Sequence, residues 1–375
     1  AHLHRPLASL GTPLKGLSAL LVVGGLLLGS TQARAEEFSR HLESARGLGL
    51  GSAYTATAYS IDAMLYNPAG LMLHDFWKAE VRAMGEESDG GESFFRDMEN
   101  QAGQPTGEVS NFLFSRGSLP VHKREFSLAG YHNTTGWGVA VYESIQLQAD
   151  PVGADQTQLT YDRIYGGIWT QSYTSENRLA LWGFNLRYMG REIGSRLLDV
   201  YDVADLGFAL DDQTATGNDW DADLGLILRL PSRFFRPQIG LAVLNVNSPS
   251  FGIAGVEQIR PETNFSIAFY PDLFDTVQVM LSAEVRDVGM ETNTYDTRDI
   301  TRTHSGMELS FFKVENGLWG LQLRGGSSQG LPAIGATVNL GHFLAVDLAI
   351  YEERLVYITE DLKQDRTVIQ VRMGF

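Results

Sequence analysis

From about residue 77 to the end of the chain, apolar and polar positions alternate with a period of two rather than 3.6. Over 277–285 the odd positions are Val277, Val279, Leu281, Ala283 and Val285, and the even positions beside them are Gln278, Met280, Ser282, Glu284 and Arg286. In 137–148, Trp137, Val139, Val141, Ile145 and Leu147 share one face, with Glu143 as the exception. Trp319, Leu321 and Leu323 oppose Gly320, Gln322 and Arg324. Leu344, Val346, Leu348 and Ile350 oppose Ala345, Asp347 and Ala349. Ile369, Val371, Met373 and Phe375 oppose Gln370, Arg372 and Gly374. Turn residues separate the runs: Asn133-Thr134-Thr135-Gly136, Ser175-Glu176-Asn177, Pro271-Asp272, Glu315-Asn316-Gly317 and Gly341-His342. About 15 such segments are centred near residues 80, 112, 128, 142, 165, 184, 226, 241, 267, 282, 309, 322, 336, 347 and 371. The one near 112 is the weakest, and membrane barrels carry even strand numbers, so about 14 strands are expected. A soluble sandwich would show more charge on its outer faces. The pattern therefore predicts an all-β fold, a transmembrane antiparallel β-barrel with an apolar face toward lipid and a polar or small face inside. Leu281 is expected on lipid and Gln278 in the lumen.

Trp77, Trp137, Trp169, Trp182, Trp319 and Tyr351 fall at expected strand ends, where barrel aromatics line the membrane interfaces. Three stretches do not read as strands. Residues 38–74 are helix- and Gly-rich. Residues 85–108 read as a polar loop with a short helix near Phe94–Glu99, and 196–219 as an acidic insertion. The first 35 residues follow another logic. Arg5 and Lys15 precede an uncharged stretch from Gly16 to Gly29, and Ala33-Arg34-Ala35 places small residues at the −3 and −1 positions. This order predicts a signal peptide cleaved after Ala35, because the apolar run falls short of the roughly 20 residues a spanning helix needs. The expected organisation is a signal peptide over 1–35, a separate N-terminal segment over 36–74 and the barrel over 75–375.

Charge narrows the partners. The formal net charge is −16, and loss of Arg5, Lys15 and Arg34 takes it to about −19, which argues against nucleic acid. The chain has no cysteine, so neither disulfides nor thiolate chemistry enter. Asp219-x-Asp221-x-Asp223 suggests a calcium loop, but Leu224 replaces the Gly and Leu230 stands where a bidentate Glu belongs, so a solvated loop is expected there. Gly47-x-Gly49-x-Gly51 follows no strand and is not a nucleotide fingerprint. The histidines lack metal-site spacing, and no nucleophile elbow, carboxylate pair or Walker loop appears. No enzyme activity, cofactor or metal is expected.

Residues Ser44-Ala45-Arg46-Gly47-Leu48-Gly49-Leu50-Gly51-Ser52-Ala53, continuing to Ala58, precede Ile61-Asp62-Ala63-Met64-Leu65-Tyr66-Asn67-Pro68-Ala69-Gly70-Leu71. This order resembles the N-terminal signature of the FadL/PorV-type outer-membrane proteins, which include the long-chain fatty-acid transporter and the PorV shuttle protein of type IX secretion. Leu224-Gly225-Leu226, Gly240 to Asn245, Leu323 to Gly326 and Val346 to Ala349 resemble later barrel strands of the same group, so the likeness spans nearly all of 44–375. The resemblance implies a bacterial outer-membrane barrel with a small N-terminal plug, contact with outer-membrane lipid, and passive transport of a hydrophobic ligand. The alternative it carries is a PorV-like adaptor that binds an envelope protein partner, for which Phe94-Phe95 in the first loop is a hint. It further implies that Asn67, Pro68, Ala69 and Gly70 belong to the plug and its gating. Asn67 can cap a helix begun by Pro68, whose missing N–H would have no partner there. Phe375 is similar to the terminal signal read by the barrel assembly machinery.

Overall fold

Alternation of this kind leaves each strand with one face for lipid and one for a lumen, and closure into a barrel removes every strand edge. Fourteen strands realise it in a computed structural model of the chain: β1 (Trp77–Ser88), β2 (Val121–His132), β3 (Trp137–Pro151), β4 (Gln156–Thr174), β5 (Ala180–Asp199), β6 (Thr214–Arg229), β7 (Gln238–Leu244), β8 (Glu262–Phe269), β9 (Val277–Val285), β10 (Thr303–Phe311), β11 (Trp319–Ser328), β12 (Leu331–Leu340), β13 (Leu344–Val356) and β14 (Asp361–Gly374). Each pairs antiparallel with its chain neighbours, and β1 pairs with β14, Glu80 opposite Gly374 and Ser88 opposite Arg366, to close the barrel. The structure describes residues 42–374 except 74–76, 89–90, 99, 101–103, 106–107, 109–110, 113–120, 133, 152–155, 200–213, 233, 255, 257, 272, 274–276, 289–301, 312–318, 342 and 357–360. The signal-peptide reading of 1–35 and the terminal Phe375 lie outside the described residues.

The turns after β2, β4 and β12 are short, whereas β1 and β2 are separated by 89–120 and β7 and β8 by 245–261. Outer-membrane barrels place short turns at the periplasmic end and long loops outside. The outward face is apolar: Val141 is 54 % exposed and Ile334 57 %. Exposed apolar side chains of this kind recur around the described strands, as a lipid-facing surface requires. Outward aromatic rings pair across strands, Tyr173 with Trp182 at 6.2 Å, Trp169 with Phe184 at 5.5 Å and Tyr188 with Trp220 at 5.0 Å. The inward face carries buried charge instead, including Arg82, Glu125, Asp221, Arg324 and Asp347.

Several expectations change. The segment near 112 is not a strand; Asn111 and Phe112 are helical, and a helix also covers Gly91–Met98. The 196–219 stretch is not an insertion along its whole length, because β5 runs to Asp199 and β6 begins at Thr214. Likewise β1 continues to Ser88. The end of β1 is Gly85-Glu86-Glu87-Ser88 and the start of β6 is polar or small over 214–219, so no apolar alternation marks them. Asp219, Asp221 and Asp223 do not form a solvated loop: they sit in β6, and Asp221 and Asp223 are buried in the lumen. Tyr351 is not an interface ring, since its hydroxyl donates to the lumenal Glu86 at 2.7 Å. In β9, Met280 and Glu284 meet residues 50–58 inside, so the odd face does point outward. Yet Val285 is 40 % exposed while Leu281 is only 8 %. The bulky Phe269 and Met307 are Leu281's register partners on either side, and cross-strand side chains of that size leave it little open surface.

Candidate functional site

Residues 42–73 lie within the lumen. They form helix α1 (Ala45–Gly49), helix α2 (Ile61–Tyr66) and a 3₁₀ turn (Pro68–Leu73), and nearly every residue is buried. Small residues on both sides allow this approach. A Cβ on Gly49 would stand 3.0 Å from Cα of Gly335, and one on Gly306 would stand 2.4 Å from the Leu50 carbonyl oxygen. The Gly-rich run therefore lets backbone pack on backbone against the strands.

One side of this segment is held by charge. Arg46 donates to both carboxylate oxygens of Glu308, at 2.9 and 2.8 Å, and Glu308 also accepts from Arg324 at 2.7 Å. Asp62 accepts from Ser44 at 2.8 Å, Tyr54 at 3.1 Å and Arg82 at 3.1 Å. Burial pushes the Tyr54 phenol well above its ordinary range, so it stays a donor. Glu284 accepts the backbone N–H groups of Tyr54 and Thr55, both at 2.8 Å. Buried ions on this scale persist only when paired, and here each carboxylate has several donors.

The other anchors are neutral. Ser172 Oγ donates to the Pro68 carbonyl at 2.6 Å, and Asn185 Nδ2 to the Met64 carbonyl at 2.7 Å. Asn67 Oδ1 accepts from the Ala69 N–H at 3.1 Å, while its Nδ2 donates to the carbonyl of Thr55 at 3.0 Å and reaches those of Leu226 and Leu241 on β6 and β7. Asn67 thus ties the 3₁₀ turn to the barrel wall. Gly225 makes room for it, since a Cβ there would stand 2.1 Å from Asn67 Oδ1. Pro68 and Ala69 are buried beside it, and a Cβ on Gly70 would stand 2.0 Å from the Ala58 carbonyl oxygen.

Above α2, the lumenal faces of β2–β5 depart from the polar pattern of the remaining wall. Ala129, Ala140, Tyr142, Ile164, Ile168 and Met189 form a buried apolar patch with Ile61, Met64 and Leu71 of the N-terminal segment. Phe251 and Ile253 of the 245–261 loop close it from the extracellular side. The loop folds inward because the three β6 aspartates accept its donors. Asp219 accepts from Ser250 N–H at 2.9 Å, Asp221 from Asn247 N–H at 3.2 Å and Asp223 from Asn245 N–H at 3.0 Å. A second space, a cavity of about 210 Å³, lies at the periplasmic end among Tyr59, Ser60, Lys78, Glu80, Phe343 and Arg372. Tyr131, a member of the apolar cluster, donates to Glu80 of this cavity at 2.7 Å and so stands between the two. Sequence reasoning named the 67–70 turn but missed the patch. Its signal was present in β4, where Ile164 and Ile168 face inward while Tyr165 and Trp169 face outward, so both faces are apolar.

No family model matches the chain, and no curated protein matches it. Solved structures do. A mutant of the TodX monoaromatic hydrocarbon channel superposes with a TM-score of 0.54 at 10 % identity, covering 88 % of this chain and 98 % of that one. The CymD monoaromatic hydrocarbon channel gives 0.51 at 12 % identity, covering 88 % and 96 %. The toluene transporter TodX of Pseudomonas putida gives 0.49 at 10 % identity, covering 91 % and 99 %. At such identities the likeness is one of fold.

Proposed function

Because the barrel is of the FadL type in fold, an outer-membrane architecture, we propose that the chain carries a hydrophobic small molecule passively across the bacterial outer membrane. The observation that carries this reading is the apolar patch of β2–β5, confined between residues 61–71 below and Phe251 and Ile253 above. The patch is packed against Ile61, Met64, Leu71, Phe251 and Ile253, and an apolar ligand that took their place would gain roughly 25 cal/mol for each Å² it buried there. In this reading residues 42–73 are a plug, Asn67 to Gly70 hold its gating turn, and the ligand leaves past Tyr131 toward the periplasmic cavity. Removal of residues 1–35 on export and recognition of Phe375 by the assembly machinery belong to the same reading. The adaptor alternative gains no support from the first loop, where Phe94 is buried and stacks on Phe112 at 5.0 Å instead of offering its ring to a partner.

The test is uptake of labelled toluene by Gram-negative cells that lack other channels of this fold. Cells expressing the protein are expected to accumulate the label faster than vector controls. Ile168→Asp places a carboxylate in the patch and should return uptake to the control level while heat-modifiable mobility shows the barrel intact. Equal uptake by expressing and control cells would overturn the transport reading.

A further inference from the structure

The apolar patch is not wholly apolar. On its wall three hydroxyls are buried and have no hydrogen-bond partner among the described residues: Ser127 Oγ, Tyr142 Oη and Ser144 Oγ. All three lie on the lumenal faces of β2 and β3. Ser127 and Tyr142 are register partners across β2 and β3, and Ser144 is the next lumenal residue along β3. The Tyr142 ring extends over β4, where a Cβ on Gly166 would stand 3.1 Å from its hydroxyl oxygen. On β5, opposite Ile168 of β4, Arg187 Nε is also buried with no partner among the described residues. Buried hydroxyls normally find a partner in the protein or in ordered water, and a group left without one in a binding site selects for a ligand that supplies it.

The charges nearby limit what that ligand can be. The Arg187 guanidinium is held by two carboxylates, Asp221 and Asp223, and by the Asn245 side chain. Arg191 is held by Asp162 at 2.6 Å, and Glu125 is held by Lys123 at 3.0 Å and Arg82 at 3.2 Å. Among the described residues the cations facing the patch are matched, and two carboxylates share Arg187. An anionic head would add a further negative charge with no free counter-ion, which burial penalises. A pure hydrocarbon would leave the hydroxyls as they are.

We infer that the patch takes a molecule with an apolar body and one neutral oxygen-bearing head, such as a phenol, alcohol or ketone, whose oxygen is met by the Tyr142 hydroxyl, with Ser127 and Ser144 lining the same stretch of wall. This rests on the lumenal patch being a ligand site, as proposed above. Equilibrium dialysis of the full chain in amphipol against labelled p-cresol, toluene and benzoate tests it, with the Ser127→Ala/Tyr142→Phe double variant beside wild type and heat-modifiable mobility to check folding. Wild type should bind p-cresol in preference to benzoate. The ratio of p-cresol to toluene affinity should fall roughly tenfold in the variant, the loss expected for hydrogen bonds to buried hydroxyls. An unchanged ratio would mean that trapped water alone serves these groups, and tightest binding of benzoate would mean an anion site; either overturns the neutral-head assignment while leaving a hydrophobic site. Failure of wild type to bind any of the three would overturn the ligand-site reading itself.

Discussion

At the scale of single residues, Asn67 has the most connected role. Its side chain caps the Pro68–Leu73 turn and bonds carbonyls of the N-terminal segment and of two strands, so one amide joins the lumenal segment to the wall. Asn67→Ala removes the cap and the donor to the buried Thr55 carbonyl and to those of Leu226 and Leu241. A local loss of roughly 2–4 kcal/mol is expected, from a cap worth about 1 and the desolvation cost of each orphaned group. Hydrogen exchange should show faster amides across 55–73 with strand amides unchanged. If exchange in 55–73 keeps its wild-type rate, the wall bonds of Asn67 contribute nothing. Sequence reasoning saw the cap, because a cap is a local relation over two residues. It could not see Leu226 or Leu241, which lie more than 150 residues away.

At the scale of elements, each strand is a two-sided object whose sides meet different solvents. Ile334 of β12 is open to lipid, while its neighbour Gly335 backs onto Gly49 inside. Ile334→Arg should cost roughly 2–4 kcal/mol if the site is near the midplane, against less than about 1.5 kcal/mol for Ile334→Leu. Reversible unfolding in lipid vesicles measures both, and equal effects would refute the outward assignment. The face was legible from alternation alone. The ends of β5 and β6 were not, because strands that leave the membrane have water on both sides and lose the period that identified them. The aspartates of β6 were misread for a related reason: three alternating carboxylates signal a loop when seen alone, and only their inward placement beside Arg187 and the amides of 245–251 makes them latches for a loop.

At the scale of the whole molecule, the lumen is divided. Charged contacts to β9–β11 and to β1 and β2 fix one side of residues 42–73, and the apolar patch of β2–β5 occupies the other. A barrel of 14 strands without this filling would leave an aqueous channel. Deletion of 36–72 is therefore expected to raise single-channel conductance in planar bilayers well above that of the intact protein. Conductance no higher than the intact protein's would mean that the segment does not obstruct the lumen.

The amino-acid sequence by itself determined the period of two, a count of about 14 strands and, in runs such as 277–285, the side that meets lipid. These follow from the local pleat and from the solvent, and neither depends on which strands are neighbours. The Asn67-Pro68 cap was determined in the same local way. Only the tertiary structure decided which inward residues face one another. Closure of the barrel brings Arg46 to Glu308 and sets Ile61 and Met64 against Ile168 and Met189. It also leaves the Ser127, Tyr142 and Ser144 hydroxyls buried on the lumenal wall with no partner among the described residues. A lumenal position reads the same along the chain whether it lines a charged anchor or an apolar patch, because its neighbours arrive through register and curvature across strands, and those relations have no linear signature.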